Sequence, residues 1–210
     1  CDAKLQEELL LAQRAQPQAA HDDGDPARVR LERIVFFNSA DDPQDLGALC
    51  ASKSAAFTAC PMAATDIALM AFTSGTTGKP KAAIHTHGDV LAACEAWPRH
   101  VLKATPDDIV MGSPPLAFTF GLGGMLIFPM WAGASIYFPD IAYSPQAMAR
   151  LIHETRATIC YTAPTFYRQM APFMKDMAAQ NGTPALRICV SAGEALPDAT
   201  RTLWREATGI

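Results

Sequence analysis

The sequence is short of fixed charge, and shorter still of any charge excess. Of its 210 residues 18% are charged, with 17 Lys and Arg against 21 Asp and Glu, giving a formal net charge of −4 and a pI near 5.7. No basic balance points to nucleic acid, so an anionic ligand would need a local basic site. The six cysteines, at 1, 50, 60, 94, 160 and 189, form no CxxC pair, and none lies within four residues of a histidine. That spacing fits neither a zinc site nor a compact disulfide scaffold. The simplest reading is six buried small hydrophobes in a reducing, cytoplasmic compartment. There is no internal repeat. The first stretch, CDAKLQEELLLAQRAQPQ, lacks a basic leader and an unbroken apolar core, so it does not read as a signal peptide. It begins with Cys rather than Met, and both ends are expected to be cuts from a longer parent. Residues 115–138 lack formal charge altogether and are long enough to span a membrane. However, Gly121, Gly123, Gly124, Pro129 and Gly133 break the run and no basic flank marks an orientation, so a buried helix followed by a buried strand is expected, with no membrane partner.

What is present is alternation. Residues 1–15 have amphipathic helical spacing, 15–28 read as a polar loop, LERIVFF at 31–37 as a short strand, and 38–49 as a loop with a helical turn. From 66 onward strand-like and helix-like runs alternate: DIALMAFTS, KAAIHTH, a helix over 88–102 that Pro98 must kink or shorten, DIVMGSPP, the apolar stretch, and ASIYF. A helix over 144–156 follows, with Ser144 as N-cap and Pro145 at its first position. Then come the strand ATICYTAP, a helix ending at Gly182 and interrupted near Pro172, the strand LRICVSAG, and a helix stopped by Gly209. The fold class expected is α/β, a mostly parallel sheet flanked by helices. The division expected is 1–65, an N-terminal helix, strand and loops, and 66–210, an α/β subdomain. In such sheets ligands bind past the carboxyl ends of strands, where 73–81, 113–121 and 191–197 fall.

The stretch TSGTTGKPK, 73–81, has the makings of a phosphate cradle. Gly75 and Gly78 free the backbone so that N–H groups can converge. Thr73, Ser74, Thr76 and Thr77 offer hydroxyl donors, and Lys79 and Lys81 offer cations. It is not a Walker A loop, because only Thr76 and Thr77 separate the glycines and Pro80 follows Lys79. A solvated Gly/Thr hairpin turn is the plain alternative. His85 and His87, at i and i+2, share a strand face. No metal site is assigned, since only Asp89 stands near them. His100 and His153 read as surface or satisfied residues.

This loop resembles the phosphate-binding motif of the adenylate-forming enzymes, among them acyl-CoA synthetases, nonribosomal adenylation domains and firefly luciferase. The motif runs F/Y-T-S-G-S/T-T-G-x-P-K-G, and FTSGTTGKPK, 72–81, departs from it only at Ala82. SPPLAFTFGLGG, 113–124, stands where the family has its acyl-pocket motif P-L-F/Y-H-x-x-G, with Phe118 in place of the histidine and Gly121 matching the glycine. SAGEALP, 191–197, resembles the adenine-contacting strand end. Together with GDVLAACEAWPRHVL and YTAPTFYRQM, these segments look like the benzoate- and 2-aminobenzoate-CoA ligase branch, over roughly residues 30–210.

The resemblance implies a piece of the large N-terminal domain of an acyl-CoA synthetase-like fold. The parent would use ATP, Mg²⁺ and CoA to activate a small aromatic acid. By it, Lys81 stabilises pyrophosphate, and Thr73, Ser74, Gly75, Thr76, Thr77, Gly78, Gly193, Glu194 and Ala195 bind the nucleotide. Phe118, Phe120, Gly121 and Ala192 hold the acid. Read without the family, Phe118 and Phe120 are core, and Glu194 is a helix N-terminal charge. The family's magnesium-positioning glutamate, ribose-binding aspartate and catalytic lysine are expected in the missing C-terminal part of the parent, so the 210-residue stretch is expected to be inactive alone. A carrier-protein thiol as acceptor, and a nucleotide- or partner-binding module without turnover, stay open, as does a homodimer.

Overall fold

The computed structural model describes residues 2–14, 33–39, 42–73 and 81–210. The chain divides into two compact units, residues 1–61 and 62–210. In the first, a turn of 3-10 helix runs into α1, Gln6–Arg14, as the helical spacing predicts. Asp2 caps this start by accepting from the Lys4 N–H at 2.9 Å. The strand expected over 31–37 does not form in the described part. Residues 33–36 enter no strand ladder, and an isolated bridge joins Phe37 to Asp2; the Phe36 carbonyl accepts from the Leu46 N–H at 2.8 Å. Apolar spacing alone does not make a strand when its backbone bonds go to the start of a helix, here Leu46 of the helix that follows, rather than along a neighbouring strand. The helical turn expected within 38–49 is α2, Leu46–Ala51, capped by Asp45, which accepts from the Gly47 N–H at 2.7 Å. The loop expected over 15–28 lies outside the described residues.

The second unit opens with a hairpin. β1, Ile67–Thr73, and β2, Lys81–Thr86, pair antiparallel, apart from the main sheet. A connection over 74–80 is too short for the dozen or more residues a parallel crossover needs. His87 opens α3, His87–Cys94, so His85 and His87 do not share a strand face. A capping box starts α3: the Thr86 side chain accepts from the Asp89 N–H, and Asp89 accepts from the Thr86 N–H at 2.8 Å. The helix then widens to π geometry over Glu95–Leu102. Pro98 brings no N–H and its ring clashes with an i−4 carbonyl, so i→i+5 spacing accommodates it without ending the helix.

Four parallel strands form the main sheet in the order β4-β3-β5-β6: β3 is Ile109–Gly112, β4 Ser135–Ile136, β5 Ile159–Thr162 and β6 Ile188–Ser191. Between β3 and β4 the apolar stretch forms α4, Thr119–Leu122, a second π-helical segment, Gly123–Ile127, and α5, Phe128–Ala132. β4 is a half-exposed edge strand of two residues rather than the buried strand expected. No helix among the described residues is long and apolar enough to cross a membrane. α6, Pro145–Thr155, has Ser144 at its N-cap, accepting from the Ala147 N–H at 3.1 Å. α7, Pro164–Asn181, runs unbroken through Pro172, and α8, Asp198–Thr208, ends at Gly209.

Period-2 alternation sorts the strands onto two faces. Met111, Cys160 and Cys189 face a cluster with Met148 and Ile152 of α6, Met170 and Met174 of α7, and Trp204 of α8. Val110, Ile159 and Tyr161 face the other side, with Leu102, Met125, Trp97 and Phe120. Both faces are covered, as a parallel sheet requires. The cysteines divide accordingly: Cys94 and Cys160 are buried and Cys189 half-buried, but Cys50 and Cys60 are exposed, against the expectation that all are buried.

Candidate active site

Two of the three expected segments meet the rule for parallel sheets. Residues 113–121 leave the carboxyl end of β3, and 191–197 leave that of β6. The third, 73–81, tips the separate hairpin instead. Ser74, Gly75, Thr76, Thr77, Gly78, Lys79 and Pro80 lie outside the described residues. The feet of this loop are described: Thr73 and Lys81 are cross-strand partners, with the Thr73 hydroxyl donating to the Lys81 carbonyl at 3.4 Å. The loop therefore leaves and re-enters at one point.

At the carboxyl ends of β3, β5 and β6 stand Ser113, Thr162 and Ser191. The Ser113 and Thr162 hydroxyl oxygens are 2.5 Å apart, and the Ser113 N–H donates to the Tyr161 carbonyl at 3.0 Å. The Ser191 hydroxyl is buried without a partner among the described residues. Beyond it Ala192 is half-buried, and Gly193 has φ +94, a backbone state that side chains disfavour. Glu194 is exposed and accepts from the Thr165 hydroxyl at 2.8 Å, in the first turn of α7. Its tie is thus to α7, not to the α8 start that its place in the sequence suggests. Ala195 is exposed.

Phe118 and Phe120 part company. Phe118 is 66% exposed at the N-cap of α4, so it is not core. Phe120 is half-buried and meets Tyr161 edge-on, with ring centroids 5.6 Å apart. Tyr161 in turn accepts from the Trp97 indole N–H at 3.2 Å. Burial raises the Tyr161 pKa, against the opposing effect of that hydrogen bond. Sequence reading missed Trp97 and Tyr161, whose contact spans 64 residues of chain.

Gly121 has a packing reason to be glycine. A Cβ there would lie 2.0 Å from the Pro115 carbonyl oxygen and 2.7 Å from that of Pro114. Gly121→Ala is expected to destabilise the protein by about 1–2 kcal/mol, because an overpacking cost near the top of the usual ~1–3 kcal/mol against rigid backbone exceeds the helix-propensity gain of about 1 kcal/mol. A thermal midpoint equal to or above the parent's would contradict this.

His85 lines an apolar cleft of about 160 Å³ with Leu69, Val90, Ala93, Leu122 and Phe128. Among the described residues no group of three His, Cys, Asp or Glu side chains could hold a metal. His153 is not the satisfied residue expected: its Nε2 is buried without a partner among the described residues, and burial lowers its pKa. It lines a larger cleft of about 480 Å³ with Arg150, Arg156 and Asn181, at the carboxyl ends of α6 and α7 and away from the strand ends that carry the candidate site. His100 is exposed.

The family model described as AMP-binding enzyme matches residues 4–210. The benzoate–CoA ligase of Thauera aromatica is 33% identical over 86% of this chain and 34% of its own length. A p-hydroxybenzoic acid–AMP ligase of Mycobacterium tuberculosis is 37% identical over 65% of this chain and 19% of its own length. The crystal structure of an anthranilate CoA ligase in complex with anthranoyl-AMP superimposes with a TM-score of 0.74 at 35% identity, covering 87% of this chain and 36% of that one. The chain thus spans about a third or less of the length of these relatives.

Proposed function

The chain belongs to the AMP-binding enzyme family, and on that premise we propose that the protein it represents activates an aromatic carboxylic acid of the benzoate or 2-aminobenzoate type. The observation that carries this is the likeness to an anthranilate CoA ligase caught with its acyl-adenylate. A carboxylate is a poor electrophile because its leaving group is oxide. Attack of a carboxylate oxygen on the α-phosphorus of ATP breaks the bond to pyrophosphate and forms acyl-AMP. Attack of the CoA thiol on the acyl carbon then expels AMP and gives the thioester.

In this reading Thr73, Ser74, Gly75, Thr76, Thr77 and Gly78 cradle the β- and γ-phosphates, and Lys81 offsets charge on the departing pyrophosphate. Bound Mg²⁺ would neutralise phosphate charge alongside them. Gly193, Glu194 and Ala195 lie along the nucleotide, and Ala192, Phe118, Phe120 and Gly121 hold the acid in line with the phosphorus. The 210-residue stretch, whose match covers 34% of the benzoate–CoA ligase, would not turn over alone. A second reading keeps the adenylation step and passes the acyl group to a carrier-protein thiol; the relative named as an acid–AMP ligase fits it in naming the adenylate and no CoA.

The test is thioester formation and pyrophosphate release by the full-length protein with benzoate, 2-aminobenzoate, hexanoate and palmitate. Aromatic acids should lead in kcat/KM. An aromatic contact contributes about 0.5–1.5 kcal/mol beyond burial, a factor of roughly two to twelve, and any larger margin must come from pocket shape. Pyrophosphate release without thioester would favour the carrier-protein reading. A lead for palmitate or hexanoate would sink the aromatic assignment.

A further inference from the structure

Two π-helical segments, far apart in sequence, converge on one buried side chain. The first, Glu95–Leu102, carries Trp97, whose indole N–H donates to the Tyr161 hydroxyl at 3.2 Å. The second, Gly123–Ile127, carries Gly124, where a Cβ would stand 2.6 Å from the Tyr161 ring. Met125 of the same segment packs in the Tyr161 cluster. Tyr161 itself is 2% exposed, and its ring makes a T-shaped contact with that of Phe120, centroids 5.6 Å apart. π-Helical turns cost hydrogen-bond geometry, persist where something compensates for them, and occur often at functional sites. Here both widen their helices around the same ring. Tyr161 precedes Thr162 at the carboxyl end of β5, and Phe120 stands in α4, the first helix after β3.

We infer that Trp97 and Tyr161 are positioning residues for the acid pocket, holding the Phe120 ring at the angle the substrate ring meets. The inference rests on the proposed function, since it takes Phe120 as part of the acid site. Neither residue touches substrate in this account. Trp97 fixes the Tyr161 ring by one hydrogen bond, Gly124 leaves that ring room, and Tyr161 fixes Phe120 by an edge contact. An intramolecular hydrogen bond of this kind is worth a factor of roughly two to twelve.

The experiment uses the full-length protein and two variants, singly and together: Tyr161→Phe, which removes only the hydroxyl, and Trp97→Phe, which removes the indole N–H with part of the ring. The expected result is a rise of about three- to tenfold in KM for the aromatic acid, with KM for ATP unchanged and kcat within about twofold. The double variant should be no worse than the poorer single one, because both remove the same bond. Variants whose acid KM is unchanged overturn the inference. So does a parallel rise in acid and ATP KM with a lowered thermal midpoint, since that is what a purely structural bond would give. If the parent protein turns over no aromatic acid, the proposed function falls and takes the inference with it. If the parent is active and the variants match it, only the inference falls.

Discussion

Replacing Lys81 by alanine in the full-length protein is expected to cut the rate of adenylation by tenfold to a thousandfold, the range seen when one charged or hydrogen-bonding contact to a developing anion is removed. Lys81 is the first residue of β2 and is exposed. Its backbone is held by pairing with Thr73, so its ammonium starts from a fixed foot beside the loop. Negative charge on pyrophosphate grows as the bond to the α-phosphorus breaks, so the lysine contributes more in the transition state than in the ground state. The loss should therefore appear in kcat more than in KM for ATP. Lys79→Ala is the control, because that position is the variable one in the motif, and it should stay within about twofold. Pyrophosphate exchange is the direct readout. Exchange unchanged in Lys81→Ala would remove the assignment.

The largest expected effect on stability belongs to Asp108, at the other end of the sheet. Asp108 is 3% exposed, and Arg187 grips it with two bonds, Nε to Oδ1 at 2.8 Å and Nη2 to Oδ2 at 2.6 Å. Thr158 donates to Oδ1 at 2.7 Å, and the Thr105 N–H donates to Oδ2 at 2.8 Å. Arg187 also donates to the Leu102 carbonyl at 2.7 Å, where the first π segment ends. Breaking a buried pair costs about 3–5 kcal/mol. Since the Arg187 side chain keeps 35% exposure and can recover hydration, about 3 kcal/mol is expected for Asp108→Ala by denaturant unfolding. Burial alone would raise the Asp108 carboxyl, but its hydrogen bonds to Arg187, Thr158 and Thr105 outweigh that and hold it at about 2. A depressed carboxyl contributes stability that is complete above its unfolded pKa. Its contribution of about 2 kcal/mol should therefore be present above roughly pH 4 and lost as pH falls toward 2. A variant with the parent's acid-unfolding profile in that window would contradict this.

Local chemistry was legible wherever one residue decides the outcome. Ser144 and Pro145 start α6 and Gly209 ends α8 as their side chains require. Pro172 was misread as a break. It sits on the exposed side of α7, with Arg168 also exposed, so the carbonyl freed by the missing N–H can bond water and the helix continues. The antiparallel hairpin was legible in the length of its connection but hidden by the alternating pattern around it. The motif marked the candidate loop; what stands behind the candidate acid pocket was marked only as two stretches of family resemblance, GDVLAACEAWPRHVL and YTAPTFYRQM, with no contact between them. Trp97 reads as one more residue of a helix, and only the fold puts it on Tyr161. Asp108 reads as the polar first residue of the strand DIVMGSPP until Arg187 arrives from 79 positions away.

Those separations set the order in which the molecule can assemble. Thr73 and Lys81 lie 8 positions apart, so the hairpin can zip up on the microsecond scale of local structure. The sheet has no such shortcut. The Ile109 N–H finds the Thr158 hydroxyl 49 positions away, and every strand pair in the sheet is parallel. Each pairing must close a long loop before any contact rewards it, which makes folding of this unit slow compared with a helical bundle of equal size. The Arg187–Asp108 grip joins the starts of β3 and β6 across 79 positions, so it is expected to form late. Contacts formed after the transition state govern how fast a protein comes apart rather than how fast it forms. The clamp at the foot of the sheet is therefore expected to act as a brake on unfolding.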